Sequence, residues 1–460
     1  APLGPRTWAA IVLVGLTGQL AWTVENMYLN VFLYNTVTAS PTALAGMVAA
    51  SAIAATIATL LLGTASDRWG RRRELIAIGY VLWGAATAAF GLIGLDAVQA
   101  VVGPASAVAV TTLAIVALDC VMSFLGAGAN DAAFTAWVTD VTQPSNRGRV
   151  DGVLAIMPLL AMLLVFGALD PLTQAGRWGL FFGIIGAVTA LVGLLALVLV
   201  RDAAPGPRPG DAATPARPTA VEPFLRTMVA LLRPSAIRQR PGLYTALAAW
   251  SLLGIATQVF LPYLIIYVQR FLHIDAYAAV LGAVLLTASV VSVIGGRFID
   301  RIGKVRALPP ALLIFALGLT MMFVVRDLLP VIGAGIVMMS GLMLATTAAS
   351  AIVRDHTPPS QAGALQGPRM ILVVLIPMVV GPFLGAAVIV GANETYSDLG
   401  QLKQVPTPWI FLVAAAVALL ALIPARAMRR LPAPELHDGA VPGSQPGVAG
   451  ADAPTRDGAA

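Results

Sequence analysis

A chain of 460 residues that is 58% hydrophobic and only 11% charged is not built to meet water over its whole surface. Soluble domains carry about 25% charged residues, and no single soluble core absorbs this much apolar sequence. The net charge of +6 raises nucleic acid as a partner, but the arginines gather in loops between apolar segments, which reads as a topology signal and excludes it.

Crossing about 30 Å of hydrocarbon takes roughly 20 apolar residues. Taken in chain order, the stretches that pass are 8–34, 43–66, 75–95, 107–138, 150–169, 178–200, 243–269, 277–299, 307–325, 329–353, 364–391 and 408–428. They predict an all-α membrane protein of twelve transmembrane helices in two six-helix bundles, with the bilayer as a partner. Residues 1–200 form the N-terminal bundle and 243–430 the C-terminal one. Between them, 201–242 is rich in Pro, Gly and Arg and cannot build a core, so it reads as a cytoplasmic linker. Within it, the stretch near Val221–Leu232 has the pattern of a short interfacial helix. The Gly/Ala/Pro-rich tail 431–460 is expected to be disordered. No short apolar region with a cleavage site opens the chain, so no secretory signal peptide is expected.

The arginines set the orientation. Arg6, DRWGRRRE (67–74), NRGR (146–149), the arginines of 201–240, DRIGKVR (300–306) and RAMRR (426–430) all fall on one side, while the opposite loops carry few charges of mixed sign, Asp170 among them. The positive-inside rule then makes both termini cytoplasmic. Lys304 and Lys403 are the only lysines, which fits a GC-rich bacterial genome and a bacterial cytoplasmic membrane. The lone cysteine, Cys120, excludes an internal disulfide.

The chain repeats itself. GTASDRWGRRREL (63–75) matches GRFIDRIGKVRAL (296–308) at an offset of 233, pairing Gly63 with Gly296, Asp67 with Asp300, Arg68 with Arg301, Gly70 with Gly303 and Arg71 with Lys304. The same offset carries Glu25 onto Gln258 and Tyr34 onto Tyr267. DVTQPSNRGRVDGV (140–153) matches DHTPPSQAGALQGP (355–368) at an offset of 215, pairing Asp140 with Asp355. The first half therefore holds about 18 extra residues, assigned to 95–112.

Two parallel six-helix halves marked at the same loops resemble the major facilitator superfamily, whose loop signature G-x-L-a-D-r-x-G-r-k is similar to 63–72 and 296–304. WTVENMYLNVFLY (22–34), FLPYLIIY (260–267) and the PSNRGRVDG and QGPRM turns further resemble cation–sugar symporters of the glycoside–pentoside–hexuronide and sucrose-transporter-like groups. The second helix departs from melibiose-type symporters, since it holds no carboxylate before Asp67. The resemblance implies a gating role for the loop residues Gly63, Asp67, Arg68, Gly70, Arg71, Asp140, Gly296, Asp300, Arg301, Gly303, Lys304 and Asp355. In that reading Gly63 and Gly296 permit close helix contact, and Arg68 and Arg71 pair with acids such as Asp140. Such contacts close one face and break as the halves rock.

An ionisable group inside the membrane costs at least ~2.5–3.5 kcal/mol on insertion scales, so it is expected to face a cavity and to do something there. Glu25 lies midway along the first helix. At roughly 100° per residue, Gln19, Trp22, Asn26, Asn30 and Tyr34 share a face, with Glu25 along its edge. An indole beside carboxamides suits a sugar, whose ring faces stack and whose hydroxyls pair with amides. On the fourth helix Asp119, Ser123, Gly126, Asn130 and Trp137 share a face and Asp131 points elsewhere; Asp119 is read as lying toward the outer end. In the seventh helix Gln258, Tyr263 and Tyr267 complete the substrate-facing set, and Pro262 is expected to kink the span. Met321, Met322, Met338, Met339 and Met343 read as bundle packing.

With no Walker loop and no metal-ligand pattern, the chain does not read as an enzyme. The expectation is a monomeric secondary transporter without cofactor. It imports a small sugar or glycoside-like solute with protons by alternating access, through Glu25, Asp131 and Asp119. A proton-driven exporter of drugs or metabolites on the same fold is the alternative.

Overall fold

The computed structural model describes residues 3–69, 71–202, 233–357, 362–398 and 401–430. Hydrocarbon offers no hydrogen bonds, so a spanning chain must pair every peptide group within itself, and long helices are the response. Among the described residues twelve helices have the length and composition to cross a membrane. They are α1 Pro5–Thr36, α2 Pro41–Gly63, α3 Arg72–Leu92, α4 Pro104–Val141, α5 Gly148–Gln174, α6 Trp178–Leu199, α7 Pro241–Phe271, α8 Tyr277–Arg297, α9 Lys304–Val324, α10 Leu328–Asp355, α11 Gly367–Ala392 and α12 Trp409–Arg430. Most of the 201–242 linker, its 221–232 stretch and the 431–460 tail lie outside the described residues.

Two connections differ from the sequence reading. The extra residues of the first half fold as an exposed short helix, Leu95–Val102, after which Gly103 turns at φ +80° and lets α4 start at Pro104. Between α11 and α12 the chain is not a plain loop but an antiparallel hairpin, β1 Thr395–Asp398 with β2 Gln401–Gln404, joined Thr395 to Gln404 and Asp398 to Gln401.

Helices α1–α6 pack on one another, α3 against α6 and α2 against α4, while α9 packs on α10, and α7 on α11 and α12. The α3–α6 contact runs backbone to backbone. A Cβ on Gly84 would run into the Gly186 carbonyl and lie 2.9 Å from the Ala190 Cβ, the small-residue packing that helices use where lipid supplies no hydrophobic drive. At the loop end of this bundle Tyr28, Phe32, Phe90, Trp178, Phe181 and Phe182 interlock with ring centroids 5.1–6.0 Å apart.

The two halves meet through α2 against α11, with smaller contacts of α5 with α8 and α1 with α7. Hydrogen bonds join them at the arginine-poor end. The Tyr263 hydroxyl sits 3.1 Å from the Pro41 carbonyl and 2.9 Å from the Pro382 carbonyl, and Arg270 Nη2 donates to Asn35 Oδ1 at 3.2 Å. That end of the molecule is therefore held shut.

Replacing Gly84 by Leu should lower stability by about 1–3 kcal/mol, because the side chain has only backbone to displace. Gly183→Leu, on α6 but facing open space, should leave the thermal unfolding midpoint in detergent unchanged. Equal midpoints for both variants would remove the close α3–α6 approach as a stability determinant.

Candidate functional site

Helix α1 is not regular where its polar residues lie. Over Val24–Tyr28 it widens into a π turn, the Leu29 N–H reaching back to the Val24 carbonyl. Helix α4 does the same over Ala127–Phe134. Such turns insert one residue and change the phase of everything after it. Glu25 lies at the start of the first of these turns, and Asn130 and Asp131 lie within the second.

Glu25, Asn26 and Asn30 line a cavity with Met47, Val48 and Ser51 of α2, Asp119 of α4, Gln258, Leu261 and Pro262 of α7, and Met378 of α11. It lies between the halves and has a volume of about 10 Å³, room for roughly one water molecule. Glu25 and its repeat partner Gln258 meet at the same cavity. Asp119 is not at an exposed outer end; it is 1% exposed and faces Glu25's cavity.

The donors and acceptors here do not balance. Ser123 Oγ donates to Glu25 Oε1 at 2.5 Å, while Glu25 Oε2, Asp119 Oδ1 and Asn30 Oδ1 are buried without a donor among the described residues. Asn26 and Asn30 each turn one amide N–H to a backbone carbonyl of α1, that of Trp22 and that of Asn26, at 2.8 Å. Among the described residues no arginine, lysine or histidine lines the cavity. Buried carboxyl oxygens without donors are expensive, so this cavity is made for a proton, a small cation or a ligand rich in donors.

A second polar group lies alongside. Asn130 Nδ2 donates to Asp131 Oδ1 at 2.8 Å, and the Trp22 indole N–H also faces Asp131. The Tyr80 hydroxyl sits 2.8 Å from Asn130 Oδ1 and 2.9 Å from the Val14 carbonyl, with one proton for the two. Gly18 makes this possible, since a Cβ there would collide with Asn130 Oδ1 and lie 2.7 Å from the Tyr80 hydroxyl. Asn130 and Asp131 thus belong to α1–α3–α4 packing as well as to a polar centre.

Other expected residues stand elsewhere. Trp22 packs on Trp83 at 5.4 Å, and Gln19 does not reach the cavity. Tyr263 is the interface bond described above, and Tyr267 is buried against Phe271 and Phe411, its hydroxyl unpaired among the described residues. The methionines are not packing alone: Met322, Met338 and Met339 line an apolar cavity of about 50 Å³ with Met27 and Met162, which shares Leu261 with the first.

Among the loop residues, Gly63 and Gly296 make no close helix contact; a Cβ at Gly63 would find its nearest neighbour at 3.9 Å and one at Gly296 none within 4 Å. Asp140 pairs with Arg72 at 3.0 Å rather than with Arg71, which reaches Glu74 at 3.4 Å. Lys304 pairs with Asp355 at 2.6 Å, and Arg301 is exposed. Both acid–base pairs join helices of the same half, so halves that separate need not break them. Gly303 turns at φ +92°. The side chains of Asp67, Arg68 and Asp300, and Gly70 altogether, lie outside the described residues.

Asp170 was read only as a loop charge, and here it ties the halves together. It is 1% exposed at the end of α5. Its Oδ1 accepts from Tyr28 at 2.9 Å and from Tyr277 of the other half, and its Oδ2 accepts from Gln174 at 2.6 Å. No spacing rule announces it, because its partners come from three helices.

The sequence model of the Major Facilitator Superfamily matches residues 11–367 and 272–448. No curated protein matches the chain by sequence. Among solved structures, a point mutant of the nucleoside transporter NupG is 14% identical with a TM-score of 0.67, covering 92% of this chain and 99% of its own. A bacterial homologue of the human lysosomal transporter Spinster, inward-facing and unoccupied, is 13% identical with a TM-score of 0.66, covering 93% and 98%. The xylose transporter XylE from E. coli, partially occluded and inward-open, is 15% identical with a TM-score of 0.63, covering 93% and 98%. At such identities the likeness is one of fold.

Asp170→Asn places an amide N–H where a carboxylate oxygen now accepts, so it should loosen the closed end. In a Cys120→Ala background, a cysteine at Ser51 should react at least about tenfold faster with an impermeant maleimide applied from the side of the α7–α8 loop. An unchanged rate would mean that closure rests elsewhere.

Proposed function

The chain belongs to the major facilitator superfamily, and from that premise we propose that it couples proton movement to import of a sugar- or glycoside-like solute. That it is a multi-pass membrane transporter and not an enzyme follows from the family and the twelve spans. The observation that carries the coupling is the central cavity, where Glu25 and Asp119 come together with unpaired oxygens and with no cationic side chain among the described lining residues. Two such carboxyls next to each other are neutralised most simply by protons, which makes Glu25 the coupling residue, with Asp119 and Asp131 as relay partners.

The cycle follows alternating access. In the form described, the arginine-poor end is shut by Asp170, Tyr263 and Arg270. With the arginine-rich loops in the cytoplasm of a bacterial cell, both termini are cytoplasmic, this form is closed to the outside, and the opposite form opens by breaking those bonds. Solute hydroxyls would donate to Asn30 Oδ1 and the Glu25 carboxyl, with Asn26 and Gln258 across from them; Trp22, Gln19, Asn130, Tyr263 and Tyr267 act from the surrounding packing. Binding of solute and proton together favours reorientation. The loop residues from Gly63 to Arg71 and from Gly296 to Lys304, with Asp140 and Asp355, set the stiffness of each half at the cytoplasmic face. The chain works as a monomer without a cofactor.

The methionine-lined cavity beside the acids favours a second reading, a proton-driven exporter of apolar drugs or metabolites.

In proteoliposomes, Glu25→Gln should abolish uphill uptake driven by a proton gradient and leave solute exchange intact. A panel of sugars and glycosides, each tested under proton and under sodium gradients, identifies solute and ion. Uphill uptake retained in Glu25→Gln, or driven by sodium alone, refutes proton coupling at Glu25; gradient-driven extrusion of lipophilic cations replaces the symporter with the exporter.

A further inference from the structure

A cavity of the C-terminal half lies apart from the acidic centre. It lies at the arginine-rich end between α7, α10 and α11 and has a volume of about 370 Å³, within the range of ligand pockets. Two guanidiniums face it, Arg354 from the last turn of α10 and Arg369 from the first turns of α11. The rest of its wall is Leu243, Leu247, Val353 and Leu365, with the hydroxyl residues Ser350 and Thr357 beside the arginines.

Neither arginine has an acidic partner among the described residues. Asp355, the acid next to Arg354, is taken by Lys304, whose Nζ donates to both carboxylate oxygens at 2.8 and 2.6 Å. Arg369 lies with its guanidinium 5.0 Å from the centre of the Trp250 ring, which fixes its orientation without neutralising it. Both arginine side chains are exposed, and among the described residues two cations and no acid line the cavity, so an anion placed between them is favoured. The positive-inside rule explains arginines at this end of the molecule; it does not explain two of them aimed into one cavity. The N-terminal half carries Thr139 and Leu154 at the repeat-related positions, so the pair is a property of one half only.

We propose that this pocket is an oxyanion-binding site. It takes the phosphate or carboxylate of an organic ligand in the fork of Arg354 and Arg369, with the ligand's apolar part on Leu243, Leu247 and Val353. Two sources present that chemistry from this side, a soluble organic anion and the headgroup of an acidic lipid. The site is independent of the proton-coupling reading, because binding is measured with no gradient and no transport.

The test is calorimetric titration of phenyl phosphate into the full-length protein in phosphatidylcholine nanodiscs. A single saturable site is expected, weakened at least about tenfold in Arg354→Gln and in Arg369→Gln. Arg306→Gln, an exposed arginine at the same end, should bind as the parent does, and neutral benzyl alcohol should not bind. Thermal unfolding of each variant separates lost binding from lost folding, and Arg369→Lys, which keeps the charge without the planar fork, should bind with intermediate strength. In phosphatidylglycerol nanodiscs, loss of phenyl phosphate binding assigns the site to a lipid headgroup, and retained binding assigns it to a soluble anion. No saturable binding in phosphatidylcholine, binding unchanged in both glutamine variants, or equal loss in Arg306→Gln would overturn the proposal.

Discussion

Inside hydrocarbon an unpaired polar group costs several kcal/mol, and the architecture follows from that penalty. It forces the backbone into twelve long helices. It also decides where each polar side chain goes, since a carboxyl in a span has to reach another polar group or a cavity. The acids of the N-terminal half divide along these lines. Asp170 has donors from three helices, and Asp131 is served by Asn130 and Trp22. Glu25 has one partner, Ser123, for its two oxygens, and Asp119 keeps an oxygen unpaired among the described residues.

That difference separates structure from work. A buried carboxylate with its donors complete holds helices together and resists change; Asp170, bridging α1, α5 and α8, keeps one end shut. A buried carboxyl with an unmet oxygen at a water-sized cavity between the two halves has acceptor capacity left over. The same logic applies to charge of the other sign. Lys304 and Asp355 satisfy each other at a partly exposed site, an interaction worth only about 0–1 kcal/mol, whereas Arg354 and Arg369 face a cavity with no acid among the described residues to neutralise them.

The two halves are related by repetition but not by chemistry. Glu25 and Gln258 occupy corresponding positions and meet at one cavity, to which the first half brings a carboxyl where the second brings an amide. The carboxyls of the central cavity, Glu25 and Asp119, both come from the first half.

The fold was legible in the sequence because the bilayer imposes a length and a composition on every span, and the arginine loops and the repeat mark the two halves without reference to contacts. Glu25 was legible for the same reason: a carboxyl in an apolar run stands out. Its companions were not. The π turns at Val24–Tyr28 and Ala127–Phe134 shift the helical phase, so a fixed 100° step does not carry the face of Gln19 and Trp22 onto Asn26 and Asn30. Asp119 lies well inside α4, and its burial at the Glu25 cavity comes from the packing of α4 on α1 and α2, which composition does not mark. Asp170, the Arg72–Asp140 pair and the Arg354–Arg369 pocket depend on residues 15 to 142 positions apart meeting in space. Apolar length is a local property and can be read along the chain; the pairing of polar groups is a property of the packed helices, and only the tertiary structure could decide it.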